Sequence, residues 1–169
     1  MAVVNLKGSL VMTDIDATPG VLADPGQAGG NVRTWIETVE VGAADTTSST
    51  YLMARLPSNC IILPASTVYW DDLTTTGAPT VDVGVFNMSG KSDFTDDPDA
   101  LSNGHDVTSA GSGALITQGA SISSYGQPLW DHINGVTTDP KTDVDVKLKL
   151  VDAAVAGGGS MSVVIYYTE

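Results

Sequence analysis

Apolar and polar residues alternate in short runs over most of this chain, with the two-residue period that places successive side chains on opposite faces of a strand. The clearest run is residues 144–151, where Val144, Val146, Leu148 and Leu150 share one face and Asp145, Lys147 and Lys149 the other. A helix would scatter those residues around its axis. Residues 160–168 repeat the pattern with Met161, Val163, Ile165 and Tyr167, and the intervening Gly157-Gly158-Gly159 predicts a C-terminal hairpin. In residues 80–86, Val81, Val83 and Val85 alternate with Asp82 and Gly84, so one face is dry and the other meets water or a close backbone. Residues 32–41 read as a half-buried strand, with Trp35, Val39 and Val41 on the face that Glu37 interrupts, and Thr34, Thr38 and Glu40 opposite with Ile36. Further strands are expected at 50–56, 60–63 and 67–71, separated by the turn-forming Pro57-Ser58-Asn59 and Pro64-Ala65-Ser66.

Only residues 92–104 and 127–134 suggest helical turns, both short, the second with Pro128 at the first helical position before Leu129, Trp130 and Ile133. Many short strands without a long helical crossover predict an all-β fold, an antiparallel β-sandwich that is jelly-roll-like. Before it lies Met1–Asn31, broken by Pro19-Gly20, Pro25-Gly26 and Gly29-Gly30, which reads as an extended N-terminal arm on a sandwich domain of residues 32–169. The arm is too apolar for an inert linker, so Val3, Leu6, Leu10 and Ile15 are candidate interface residues. The aromatic anchors Trp35, Trp70 and Trp130 join them, because exposed aromatics dominate binding energies.

Charge narrows the partners. Twenty acidic against seven basic residues give a formal net charge of -13, which repels phosphate backbones and excludes nucleic acid as the main partner. No run of about twenty apolar residues exists to cross a membrane as a helix, and the N-terminus lacks the basic stretch and apolar core of a signal peptide. The single cysteine, Cys60, sits in the apolar run Cys60-Ile61-Ile62-Leu63 and is expected to be a small buried hydrophobe.

Candidate chemistry is sparse. Ser89-Gly90-Lys91-Ser92 follows a strand as a phosphate-binding loop would, but the first glycine of that motif would fall at Val85, so an ordinary turn is expected. Asp93, Asp96, Asp97 and Asp99 offer hard oxygens, yet the glycine and glutamate of a calcium loop are missing; the expectation is a solvated loop whose Asp96 or Asp97 caps a turn at Pro98-Asp99-Ala100-Leu101. His105 and His132 with one cysteine cannot make the usual zinc sets, and no Gly-x-Ser-x-Gly elbow selects a nucleophile. Adjacent residues on a strand point to opposite faces, so Asp71 and Asp72 converge as a glycosidase pair only if the strand ends there; the expectation is a plain strand end running into the Thr74-Thr75-Thr76-Gly77 loop. The reading is a non-enzymatic protein without a cofactor.

Several segments together carry a resemblance. Leu56-Pro57-Ser58-Asn59, Asp71-Asp72-Leu73, the run Ala78-Pro79-Thr80-Val81-Asp82-Val83-Gly84-Val85-Phe86, Asp99-Ala100-Leu101 and a glycine turn before a Val-rich, Tyr-ending strand resemble small virion proteins of tailed bacteriophages. The similarity spans about residues 32–167. Many small β-rich members of that group are head decoration (cement) proteins, and the resemblance implies no catalytic residue. It implies a protein of the capsid exterior that binds the major capsid protein and itself as a homotrimer, made in the host cytoplasm before assembly. The alternatives are a tail or head-tail accessory virion protein, or a carbohydrate-binding β-sandwich module using Tyr69, Trp70, Tyr125 or Trp130.

Overall fold

The computed structural model describes residues 31–73, 77–117 and 122–169. The arm, with Val3, Leu6, Leu10 and Ile15, lies outside the described residues. Among the described residues nine antiparallel strands form: β1 Arg33–Val41, β2 Thr50–Pro57, β3 Ile61–Ile62, β4 Thr67–Trp70, β5 Thr80–Phe86, β6 Asp97–Asp106, β7 Gly111–Ala114, β8 Asp143–Val151 and β9 Gly159–Thr168. They make two sheets, one ordered β1-β9-β4-β7 with β3 also on β9, the other ordered β2-β8-β5-β6. Short 3-10 turns at Ile122–Gly126 and Leu129–His132 are the helical segments among the described residues. The sequence's expectation of an antiparallel β-sandwich is therefore met.

The core lies between the sheets and is built by the period-two faces. Val144, Val146, Leu148 and Leu150 of β8 are fully buried, as are Val81, Val83 and Val85 of β5 in register beside them. From the other sheet Met161, Val163 and Ile165 of β9 and Val68 of β4 face them. Cys60 is buried and unpaired, and burial pushes its thiol up to about 12, so it packs as a hydrophobe.

Four expectations need correction. First, β8 and β9 are not a hairpin, because they belong to different sheets. Residues 152–158 carry the chain across, held by Val155 N–H to Asp45 O (3.1 Å) and Gly157 N–H to Leu73 O (3.2 Å), with Val155 buried. Alternation marks a strand but does not name its neighbour, and a glycine run permits a crossover as readily as a tight turn.

Second, residues 92–104 hold no helical turn; Asp97–Asp106 is a strand. Its period was hidden because it bulges: Val81 pairs with His105, Val83 with Ser102 and Val85 with Asp97, so β6 spends extra residues against β5 twice. Pro98, which has no N–H to give, falls in the larger bulge. There the strand crosses the outer face of β5, and a Cβ on Gly84 would lie 2.3 Å from Asp97 O and Pro98 O. The close backbone expected at Gly84 is that of β6.

Third, the strand expected over 60–63 shortens to Ile61–Ile62. Its flanks are used otherwise: Cys60 N–H turns back to Pro57 O and Cys60 O receives Leu129 N–H. Pro128 also stands one position earlier than expected, as the extended residue capping the 3-10 turn rather than its first helical member. Fourth, β1 is more exposed than half-buried, with only Val41 buried. It is the edge strand of its sheet, so the opposing layer covers it at one end only.

Candidate interaction surface

The sandwich has two open rims, and each is closed by a tryptophan. β1 and β2, edge strands of the two sheets, lie side by side along one rim. There the Trp35 indole N–H reaches between the sheets and donates to Met53 O at 2.8 Å. Met53 lies where the β2–β8 register shifts, so the bulge presents a carbonyl that no strand partner takes, and the indole meets it. Along the other rim, formed by β6 and β7, the Trp70 ring lies 5.3 Å from that of His105, and its N–H donates to Ser109 O at 2.9 Å. Gly111 and Gly113 of β7 make the room: a Cβ at 111 would press on the Trp70 ring, and one at 113 would lie 2.6 Å from the His105 ring.

The three candidate tryptophans are thus not brought together. Trp130 occupies the Leu129–His132 turn, half-buried, with its backbone N–H donating to Ser58 O at 2.9 Å. What distinguishes the rims is apolar exposure. Val32 (59%), Trp35 (36%), Ile36 (68%) and Leu52 (49%) all lie on or beside β1 and β2, and the remaining exposed large hydrophobic, Tyr69, is on β4. Among the described residues β6 and β7 carry none of these, and Tyr69 stands one strand in from β7. The sequence flagged Trp35 but missed Ile36 and Leu52, since an apolar residue on a polar face reads as noise until the strand is known to be an edge.

Among the described residues, no strand pairs with the outer edge of β1. Even-numbered residues of β9 turn toward β3 and β4, for Leu63 N–H donates to Tyr166 O (2.7 Å) and Asp71 N–H to Ser160 O (3.0 Å). The odd-numbered residues of β9 therefore serve β1, and the register of Trp35 with Ile165 leaves the N–H and C=O of Thr34, Ile36, Thr38 and Glu40 on the outer edge. Thr38 N–H is met there by the neighbouring carboxylate Glu37 Oε1, at 3.0 Å.

The sequence's chemical candidates resolve into structure. Lys91 N–H to Met88 O (2.9 Å) with Gly90 at φ +81° makes Met88–Lys91 a β-turn, so Ser89, Gly90 and Lys91 form an ordinary turn. The acidic loop is stapled by Asn87: its Oδ1 accepts Asp93 N–H (2.8 Å), its Nδ2 donates to Phe94 O (2.7 Å), and its N–H donates to Asp96 Oδ1 (2.8 Å). Asp97 caps no turn at Pro98; its carboxylate accepts Asn134 N–H at 2.7 Å, and burial raises its pKa, with nearby Asp99 adding to the rise. Among the described residues no three His, Cys, Asp or Glu side chains converge as metal ligands. Asp71 is spent on Ser160, whose N–H and Oγ both donate to it at 2.8 Å and hold its pKa down. His105 Nε2 lies 2.9 Å from Ser102 Oγ, but Ser102 is fully buried, so that pair meets no substrate. Among the described residues no helix is long and apolar enough to cross a membrane.

No protein-family model and no curated protein matches the chain. Among solved structures it is similar to a chain in the capsid of Ralstonia phage GP4, with a TM-score of 0.59 at 20% identity over 83% of this chain and 85% of that one. It is also similar to a chain in the capsid asymmetric unit of cyanophage Pam1, with a TM-score of 0.54 at 22% identity over 90% of this chain and 95% of that one. The likeness is one of fold, and it extends over most of both partners.

Proposed function

We propose that this chain is a structural protein of a bacteriophage virion, a decoration protein that binds the outer surface of the head and reinforces contacts between major capsid protein subunits. The observation that carries the reading is the fold, which resembles chains from two phage capsids along nearly their full length. The strand orders support a jelly roll specifically. Taken by sequence, the eight longer strands change sheet at every step except β5 to β6, which pair within one sheet, so that β1, β4, β7 and β9 interleave with β2, β5, β6 and β8, and viral capsid proteins are among the principal users of that architecture.

Charge favours the exterior, since a protein at -13 facing packaged DNA meets phosphate repulsion that the outer surface does not impose. Attachment draws on apolar anchors: the arm residues Val3, Leu6, Leu10 and Ile15, with exposed Trp35. Three copies, the number that suits a three-fold capsid position, would turn weak individual contacts into a persistent attachment. The protein carries out no reaction and partners with the major capsid protein and itself. The test is the heat stability of particles lacking the protein. They should lose DNA at lower temperature and recover when purified protein is added; equal stability with and without it would refute reinforcement.

A further inference from the structure

We infer that the open edge of β1 is a two-fold contact between two copies of this chain, formed by antiparallel pairing of β1 with β1 in the register that sets Trp35 against Trp35. The even-numbered residues of β1 turn their backbone groups away from β9, unpaired by any strand among the described residues, so an added antiparallel strand must pair even with even residues, which limits the possible registers. Centring the pair on Glu37 sets two carboxylates directly opposite each other, which is unfavourable. Centring on Ile36 sets Trp35 against Glu37 and Arg33 against Val39, with no charge matched. Centring on Trp35 sets Arg33 of each copy against Glu37 of the other, twice by symmetry, and sets Ile36 against Thr34 and Val32 against Thr38. The charges that keep this edge from pairing indiscriminately thereby become the ones that select one register.

The same arrangement covers what the rim exposes. Val32, Trp35 and Ile36 are the large apolar residues on this edge, and Leu52 of β2 stands beside it. Among the described residues the opposite rim has Tyr69 alone beside it against four here, so the asymmetry points to a contact at this one. Existing commitments on the edge are weak: Glu37 holds its neighbour's N–H from an exposed position, and Arg33 pairs with Glu169 at 2.9 Å with 58% of its side chain exposed. Both can be exchanged for the partner copy's groups. The inference assigns Trp35 to the contact between copies, which leaves the arm residues as the anchors on the head; otherwise it stands apart from the virion reading. A two-fold contact also adds to three-fold association without replacing it, because it would join copies from neighbouring trimers.

The test is a charge-swap cycle read by sedimentation velocity across a concentration series. The wild-type protein should show association that doubles the mass of its base unit. Arg33→Glu and Glu37→Arg should each weaken that step about ten-fold or more, because each sets like charges opposite, and the double variant should restore it. Both positions are exposed, and a melting curve for each variant verifies folding. As a second readout, the Thr34→Cys, Ile36→Cys double variant should form an intermolecular disulfide under oxidation, since those residues face one another across the axis. A doubling step that is absent, that the single swaps leave intact, or that the double swap fails to restore would overturn the inference, as would a cysteine pair that does not cross-link.

Discussion

Replacing Gly84 with alanine should cost more stability than its single methyl group suggests. The added Cβ would lie 2.3 Å from three backbone atoms, Asp97 O, Pro98 C and Pro98 O, whereas ordinary contact begins near 3.4 Å, so β6 would have to withdraw by roughly 1 Å. Backbone cannot swing aside as a side chain does. The segment that must move carries Ala100 and Leu101, both buried, and the Asp97 carboxylate that receives Asn134 N–H. Overpacking of this kind costs about 1–3 kcal/mol, and loosening the Asp97 bond adds about 1 kcal/mol, so about 3 kcal/mol is a reasonable expectation. For a domain of this size that lowers Tm by roughly 6–12 °C. The control is Gly90→Ala, where φ is +81° and no atom lies within 4 Å of the new Cβ, so only the cost of a left-handed backbone is felt. That cost is about 1–2 kcal/mol, and thermal unfolding followed by circular dichroism should place the Gly84 variant clearly below the Gly90 variant. If Gly84→Ala melts with the wild type, or above Gly90→Ala, β6 does not cross β5 as described.

Three further outcomes follow from the same contacts. Trp35→Phe keeps the ring but leaves Met53 O without its indole donor, so Tm should fall by roughly 2–4 °C for about 1 kcal/mol lost; an unchanged Tm would show that the rim does not need the bond. Burial holds the pKa of His105 and His132 below their ordinary 6.5, so the unfolded chain takes up protons first and Tm should fall as pH drops from 7 toward 5. Asp82 and Asp97, raised by burial, act in the opposite sense as pH approaches 3.8, and a Tm that rises between pH 7 and 5.5 would contradict the histidine assignment. Cys60, buried with its thiol pushed up to about 12, should not react with a thiol reagent at pH 8 until the protein is denatured; rapid native labelling would place it at the surface.

Much of the fold was legible because burial imposes a period. The faces of 80–86 and 144–151 predicted β5 exactly and β8 to within one residue, and their alternating valines and leucines are the ones now fully buried. What alternation could not supply was partnership: the pattern of 160–168 is as good a strand in the sheet opposite β8 as beside it. β6 was unreadable for another reason, since its bulges break the period and place Pro98, Asn103 and Gly104 inside a strand. The candidate surface was half visible. Trp35 could be singled out by its chemistry, but Ile36 and the free N–H row of β1 acquire meaning only from the strand order, which no local pattern encodes.

The proposed seat on the capsid exterior can be read from an electron-microscopy map of purified particles at a resolution that separates strands. Density is expected on the outer face of the head into which the two sheets β1-β9-β4-β7 and β2-β8-β5-β6 fit, seated over junctions between major capsid protein subunits. Density confined to the tail or the capsid interior, or particles without the protein, would contradict it.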